Sequence, residues 1–327
     1  MNVAVVFNKH PHLPPPQLKA IGGEIMRLFD GATFVVCRDY GDAYLPGAVV
    51  LEIDQSLEHK AKIAQIAEAL LAVNPRYLVS VGGDGLSSYL ALHISRRTVK
   101  PIMLAIAAGT ANVGPIVSFK GEHLAHLTHA SLQEVAIDAI AVSDENGFLG
   151  LGFNDVILAD TFLGTEGGVC RNLSVEELLL RGRRMATTVG DRITTDGFSV
   201  LVNGEPRAFN RSVPIAQIVI SPLQFDRLYG RAIFGALCHG RDATGLAAVG
   251  LISGNVVNSD PSSWESDDFT AIQHLLFTAG ETVTFDGLGP DAHIVIDGNP
   301  YIRRGAVSCT VMTGAIHALK PKGGEIA

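Results

Sequence analysis

The chain has 327 residues, of which 47% are hydrophobic and 18% are charged, and its formal net charge at pH 7 is −8. This composition is typical of a folded globular protein and excludes a largely disordered chain or a coiled coil. The acidic balance argues against a general nucleic-acid-binding protein, because phosphate contacts need a basic face. The length allows one large domain or two ordinary ones, and we expect two.

The cysteines indicate the compartment. Cys37, Cys170, Cys238 and Cys309 are scattered, without a C-x-x-C pair. This usage favours reduced thiols that act as small apolar fillers, and we therefore expect a cytoplasmic protein. The first seven residues read as a strand rather than a signal peptide. No apolar run reaches about 18 residues, so we expect no membrane-spanning helix and no membrane partner.

The first part of the chain alternates strand-like and helix-like segments. Apolar runs predict strands at 3–8, 32–37, 77–81 and 102–106, and helical spacing predicts helices at 17–29, 55–73 and 86–95. Strands that alternate with helices indicate a parallel sheet covered on both faces. In such sheets ligands bind beyond the carboxyl ends of the strands.

After about residue 132 the sequence becomes β-rich, with Gly, Asn and Asp between short apolar segments. The predicted strands are 135–142, 148–158, 197–202, 215–221, 247–252, 282–285 and 293–296, with one helix at 264–277. Asn203-Gly204 predicts a type I′ hairpin. We therefore predict an α/β domain with a parallel sheet over 1–132 and a β-rich, sandwich-like domain over 133–312. Residues 313–327 form a tail that could pack back on the first domain.

Three predicted strand ends carry the residues that point to chemistry. Asn8 follows the first strand, Gly82-Gly83-Asp84-Gly85 follows the strand 77–81, and Gly109-Thr110-Ala111-Asn112 follows the strand 102–106. Glycines let the backbone turn tightly and let a phosphate approach its N–H groups. A helix N-terminus behind such a turn also favours negative charge. This design suits phosphoryl transfer, with Asp84 as the reactive side chain of its turn.

More than one role is open for each of these residues. Asp84 could accept the proton of an attacking hydroxyl, organise Mg²⁺, or cap the following helix. Thr110, Asn112 and Asn8 could contact a nucleotide or serve as ordinary turn residues.

The two glycine turns, with their spacing of about 25 residues, resemble those of a known superfamily. It comprises the NAD kinases, the diacylglycerol and sphingosine lipid kinases and, more distantly, the phosphofructokinases. The segment 108–115 is similar to the NAD-kinase-like proteins of acetoin catabolism, the X proteins. The resemblance implies an NAD kinase/phosphofructokinase-like first domain, ATP and Mg²⁺ as cofactors, and a homo-oligomer, either a dimer or a tetramer. It also implies a nucleotide site that includes Gly82, Gly83, Gly85, Gly109, Thr110, Asn112 and Asn8.

The resemblance extends into the second domain, with differences. Asn154-Asp155 is similar to the Asn-Glu pair by which NAD kinases hold a nucleotide, with a shorter acid, and the pair is expected to bind substrate. Val113 and Asn299 stand where lipid kinases carry an aspartate and a glutamate. Leu86 replaces the usual threonine after the first turn. The segment by which NAD kinases hold the acceptor dinucleotide is absent.

Three hypotheses follow. The first is an ATP-dependent kinase of the NAD-kinase type, which phosphorylates a hydroxyl of NAD or a related small molecule. The second is a kinase for a diacylglycerol-like lipid, which Val113 and Asn299 disfavour. The third is a nucleotide-binding regulator with weak or lost catalysis, which Leu86 and the missing acceptor segment favour.

Overall fold

The computed structural model describes residues 1–9, 13–109, 112, 114–166, 169–225, 243–254 and 270–322. Contacts within the chain divide it into two compact units. The first unit consists of Met1–Ile137 and Gly314–Ala327, and the second of Asp138–Thr313. Within the described ranges, no helix is both long enough and apolar enough to cross a membrane.

The first unit contains strands and helices in alternation, as predicted. Its strands are β1 (Asn2–Phe7), β2 (Thr33–Cys37), β3 (Val49–Leu51), β4 (Tyr77–Gly82), β5 (Ile102–Ala107) and β6 (Val117–Lys120). Its helices are α1 (Pro15–Leu28), α2 (His59–Ala72) and α3 (Asp84–Ser95), and short 3₁₀ turns lie at Asp42–Tyr44, Gly121–His126 and His129–Ser131. The prediction missed β3, which has only three residues. It also missed the four-residue β6.

In its described residues, the second unit consists mainly of β-strands and carries one short helix. Its strands are β7 (Leu132–Asp144), β8 (Gly147–Gly152), β9 (Val156–Ala159), β10 (Thr161–Glu166), β11 (Val169–Ser174), β12 (Thr194–Val202), β13 (Glu205–Arg207), β14 (Gln217–Pro222), β15 (Leu246–Ile252), β16 (Ile272–Thr278), β17 (Thr282–Leu288), β18 (His293–Ile296), β19 (Asn299–Tyr301) and β20 (Val307–Pro321). One short helix, α4 (Val175–Arg181), follows β11. The first residues of β7 and the last residues of β20 belong to the first unit.

The strands of the first unit form a parallel sheet in the order β20-β5-β4-β1-β2-β3, with β6 also paired to β5. Helix α1 buries Leu18, Ile21 and Ile25 in one cluster with alternate residues of the strands, such as Val3 and Val79. The residues between them, including Ala4 and Leu78, are also fully buried. The sheet is therefore covered on both faces, as the alternation of elements predicts.

The second unit contains two antiparallel sheets that share one core. The order is β16-β15-β14-β9-β18-β19 in one sheet, and β13-β12-β17-β20 is the path in the other. Their common core includes Val156, Ile218 and Ile294 from the first sheet and Phe198 and Phe285 from the second. Two sheets that bury their inner faces against each other form a sandwich, as predicted. The pairs β7–β8 and β10–β11 are also antiparallel.

One element was predicted wrongly. The helix expected at 264–277 is contradicted over its last residues, since Ile272–Thr278 is a strand that pairs with β15 along its whole length. Residues 264–269 lie outside the described part of the chain. Tertiary pairing overrides helical propensity here. The hairpin at Asn203-Gly204 is confirmed, because both residues have positive φ (53° and 82°) between the paired Val202 and Glu205.

Two of the four cysteines can be located as core residues. Cys37 and Cys309 are fully buried and make no disulfide, and burial raises the pKa of each thiol to about 12. Thiols held so firmly protonated are poor nucleophiles. These two residues therefore act as apolar fillers. Cys238 and the side chain of Cys170 lie outside the described structure.

Candidate functional site in the first unit

Asp84 is the first residue of helix α3, directly after the end of β4. The N-cap position belongs to Gly83, whose backbone is extended (φ −101°, ψ −177°), so Asp84 does not cap the helix. Instead, its Oδ2 accepts a hydrogen bond of 3.1 Å from the backbone N–H of Gly114, 30 residues along the chain. The carboxylate therefore joins the first glycine turn to the segment that follows the second.

The two glycine turns touch each other through their backbones. A Cβ atom on Gly109 would lie 2.5 Å from Cα and 2.7 Å from N of Gly83, distances that only glycine permits. Ala108 N–H donates to the carbonyl of Gly82 at 2.9 Å, which ties the ends of β4 and β5 together. The structure therefore brings Gly82 and Gly83 of the first turn together with Gly109 of the second.

Asn8 reaches the same place from the end of β1. Its backbone N–H donates to the carbonyl of Val81 at 2.8 Å. A Cβ atom on Gly82 would lie 3.5 Å from Cβ of Asn8 and 2.8 Å from Cδ2 of Leu86. Asn8 thus lies beside the first turn, as expected from the meeting of parallel strand ends.

The glycines are needed for close approach rather than for a left-handed backbone. Gly82, Gly83 and Gly109 are not among the glycines with positive φ. Bare backbone instead allows the two turns to abut and leaves room where a ligand's phosphate oxygens can approach N–H groups.

The remaining predicted residues of the turns differ in how they are placed. Asn112 is exposed, and its Nδ2 donates to the carbonyl of Gly109 at 2.9 Å, which is ordinary turn chemistry. Gly85 lies in the first turn of α3 and is partly exposed. Thr110 and Val113 lie outside the described residues.

Ser87, in the first turns of α3, does not replace the missing threonine hydroxyl. The hydroxyl of Ser87 is buried and pairs with the hydroxyl of Ser80 at 3.0 Å, beneath the helix. Leu86, at the threonine position, is partly exposed and lies over Gly82. The helix rotates each successive residue by about 100°, which explains why a neighbouring serine points elsewhere.

Candidate functional site in the second unit

Asn154 and Asp155 lie between β8 and β9 and are buried, with 6% and 4% of their surface exposed. Asn154 Nδ2 donates to Asp155 Oδ2 at 2.8 Å, and the carbonyl of Asn154 accepts from Ser221 Oγ at 2.8 Å. Burial of polar groups is tolerated because they are hydrogen-bonded. The pair is therefore a rigid, internally bonded unit rather than a surface turn.

Asp297 organises this pair and was not predicted as a site residue. Its carboxylate accepts the backbone N–H groups of Phe153 at 2.9 Å, Asn154 at 2.8 Å and Asp155 at 3.1 Å. Its own N–H donates to the carbonyl of Asp155 at 3.1 Å. Charge-assisted bonds of this kind are stronger than neutral ones, so Asp297 fixes the backbone on which Asn154 and Asp155 sit.

The sequence around Asp297 predicts the turn in which the residue lies, but not its contact with residues 153–155. Asp297-Gly298 joins β18 to β19 with positive φ at both residues (45° and 76°), so it is the hairpin turn that its composition suggests. The contact with 153–155 spans more than 140 residues of chain. Nothing in the local pattern indicates that partner.

Comparison with known proteins

No family model and no curated protein matches this sequence. Solved structures do match. A yeast NADH kinase in complex with NADH shares 12% identity at a TM-score of 0.56, over 98% of this chain and 83% of that one. A diacylglycerol kinase from Bacillus anthracis strain Sterne shares 10% identity at a TM-score of 0.55, over 99% and 98%. An NAD kinase from Archaeoglobus fulgidus in complex with ATP shares 13% identity at a TM-score of 0.50, over 98% and 94%.

The chain therefore has the NAD kinase/diacylglycerol kinase-like fold, an α/β unit with a parallel sheet joined to antiparallel β-rich sheets. This confirms the fold expected from the two glycine turns. At 10–13% identity the likeness concerns the fold, and the activity has to be argued from the residues of the site.

Proposed function

We propose that this protein is an ATP-dependent phosphotransferase that acts on an alcohol group. The observation that carries the proposal is the position of Asp84 at the ends of two adjacent parallel strands, where its carboxylate is held by the segment that follows the second glycine turn. Fold-level similarity to kinases of nucleotides and lipids supports the same class of reaction. The same similarity supports binding of a nucleotide.

The chemistry follows from the parts of the first unit. The γ-phosphate of ATP is transferred when the acceptor's oxygen bonds to phosphorus and the bond from phosphorus to the β–γ bridging oxygen breaks, which releases ADP. The proton of the acceptor hydroxyl passes to the Asp84 carboxylate. Backbone N–H groups near Gly83 and Gly109, with the N-terminus of α3, offset the charge of the phosphates.

Mg²⁺ fits this arrangement as a partner of the nucleotide. In the described part of the chain, no group of three or more His, Cys, Asp or Glu side chains is placed to hold a metal ion. Mg²⁺ does not need such a cage, since it is usually held through one or two carboxylates together with substrate phosphates and water. Asp84 would serve either as the base or as the carboxylate that holds the ion, and the ion would neutralise charge on the transferred group.

The acceptor is proposed to be NAD or a related small molecule, with Asn154 and Asp155 as its contacts. Their buried and fixed geometry suits recognition of a ribose hydroxyl by an amide and a carboxylate. The lipid-kinase hypothesis has one structural likeness in its favour, the match to a diacylglycerol kinase over nearly the full length of both chains. The regulator hypothesis has Leu86 over Gly82 in its favour.

A transfer assay separates these functions. Wild-type protein is given labelled ATP, Mg²⁺ and, in turn, NAD, NADH and diacylglycerol in mixed micelles, and the labelled product is identified. Asp84→Asn is expected to lower the transfer rate by about 10² to 10⁴-fold, because it removes the general base. Asp54→Asn is the matched control, since that carboxylate is exposed and accepts hydrogen bonds from Ser56, away from the glycine turns.

Each outcome of the transfer assay supports one of the three functions. Label in NAD or NADH that depends on Asp84 supports the proposal, and label in diacylglycerol alone transfers the assignment to a lipid kinase. ATP binding without transfer to any acceptor identifies a regulator and overturns the enzyme proposal. Full activity of Asp84→Asn refutes the role given to the carboxylate.

A further inference from the structure

Lys320 is a second charged residue at the glycine turns, and it comes from the far end of the chain. It lies near the end of β20, which pairs in parallel with β5 through Ala318 and Met103. The ammonium of Lys320 donates a hydrogen bond to the carbonyl of Pro115, and the residue is partly buried. A long side chain thus runs from the edge of the sheet into the segment behind the second turn.

Asp84 and Lys320 each hold a backbone group of two consecutive residues. Asp84 accepts from the N–H of Gly114, and Lys320 donates to the carbonyl of Pro115, the next residue. The two charges also act on each other: burial lowers the pKa of Lys320 to about 8, and the Asp84 carboxylate opposes that shift. A carboxylate and an ammonium group therefore hold one dipeptide, Gly114-Pro115, directly after the second glycine turn.

A structural role alone does not explain why the residue at position 320 carries a charge. A neutral amide could donate to the Pro115 carbonyl without the cost of desolvating an ammonium group. Elsewhere in the first unit the ammonium of Lys100 also donates to a backbone carbonyl, that of Ala315, at 2.8 Å, but no carboxylate holds the adjoining backbone there in the hydrogen bonds described. A buried cation beside a carboxylate is instead suited to a site that receives further negative charge.

We propose that Lys320 is a phosphate-binding residue of the glycine-turn site, whose ammonium offsets the charge that a polyphosphate brings to the neighbourhood of Asp84. The inference rests on the proposed function in taking the ligand to be a nucleoside triphosphate. The shared chemistry is the polyphosphate chain, so inorganic tripolyphosphate is expected to bind as well. Lys320 reaches this place from a strand more than 200 residues after the glycine turns.

Binding measurements test this without turnover. The dissociation constants of ATP and of inorganic tripolyphosphate are measured by calorimetry for wild type, Lys320→Gln and Lys320→Arg. Glutamine keeps a donor for Pro115 and removes the charge, and arginine keeps the charge. We expect Lys320→Gln to weaken both ligands by about tenfold or more and Lys320→Arg to stay within about threefold of wild type. Lys100→Gln is the matched control and should bind as wild type does.

Thermal melts of the same variants separate binding from folding. The proposal is overturned if Lys320→Gln binds both ligands as wild type does, if Lys320→Arg loses as much affinity as Lys320→Gln, or if Lys100→Gln shows the same loss. It is also overturned if the wild type binds neither ATP nor tripolyphosphate. Binding that depends on Lys320 without any phosphoryl transfer would refute the proposed kinase activity and leave the role of Lys320 intact.

Discussion

The two units build their polar sites in opposite ways. In the first unit the glycine turns depend on the lack of side chains, which allows Gly83 and Gly109 to touch. In the second unit Asn154 and Asp155 rely on what is present, since one carboxylate, that of Asp297, takes three backbone N–H groups. The first arrangement leaves backbone N–H groups free to approach a ligand, whereas the second uses a charged side chain to hold the protein's own backbone. An acidic residue beside a turn can therefore serve either purpose, and its bonds distinguish them.

The largest effect on stability and binding is expected at Gly109, where the backbones of the two glycine turns are in contact. Gly109→Ala places a methyl group 2.5 Å from Cα of Gly83. We expect a loss of about 3 kcal/mol of unfolding free energy and loss of ATP binding, because neither turn can move without breaking its strand end. Urea unfolding and calorimetric titration with ATP measure the two effects.

Gly23→Ala is the control for this variant. Gly23 lies in α1 with nothing within 4 Å of an added Cβ, so alanine there should be neutral or stabilise by up to about 1 kcal/mol. If Gly109→Ala behaved like Gly23→Ala, the abutting turns would have no importance for the site.

The next effect tests the second unit. Asp297→Asn replaces one of two acceptor oxygens by an amide that faces N–H donors, and we expect a loss of about 2 to 3 kcal/mol of unfolding free energy. Asp286→Asn, an exposed aspartate whose Oδ1 accepts from the next residue, should change stability by less than about 0.5 kcal/mol. Equal urea midpoints for the two variants would contradict the organising role of Asp297.

A smaller effect concerns Leu86. Leu86→Thr restores a hydroxyl at the start of α3 and is expected to raise the transfer rate by about tenfold, the worth of one hydrogen bond made in the transition state. It should also lower stability by about 1 kcal/mol, since Leu86 covers Gly82. An unchanged rate in steady-state assays would show that the leucine is not what limits transfer.

The smallest effect concerns Asn112. Its amide makes one exposed bond to Gly109, so Asn112→Ala should cost about 0.5 kcal/mol if the residue serves the turn alone. Asn2→Ala removes a comparable exposed bond to the carbonyl of Val73 and provides the reference. A fall in ATP affinity for Asn112→Ala and not for Asn2→Ala would add a nucleotide contact to its role.

The fold of the first unit could be predicted closely because its signals are local. Apolar runs define the strands, and the glycines stand directly at their ends, as at Gly82 and Gly109. The second unit was predicted in class but not in detail, because strand β16 takes its conformation from pairing with β15. Asp297 and Lys320 escaped prediction for a related reason, since each acts on residues far away in sequence. Only the folded chain brings those partners together.

The position of the last strand, β20, has a consequence for folding during synthesis. Ala318 and Leu319 are buried in the first unit, on a strand that ends at residue 321. A chain that has been synthesised only to residue 137 has β6 beside part of β5 but lacks β20, which pairs with β5 at Met103. Closure of this edge of the parallel sheet therefore waits for residues 314–321, and a fragment that stops at residue 137 would leave apolar surface beside Met103 exposed and prone to aggregation.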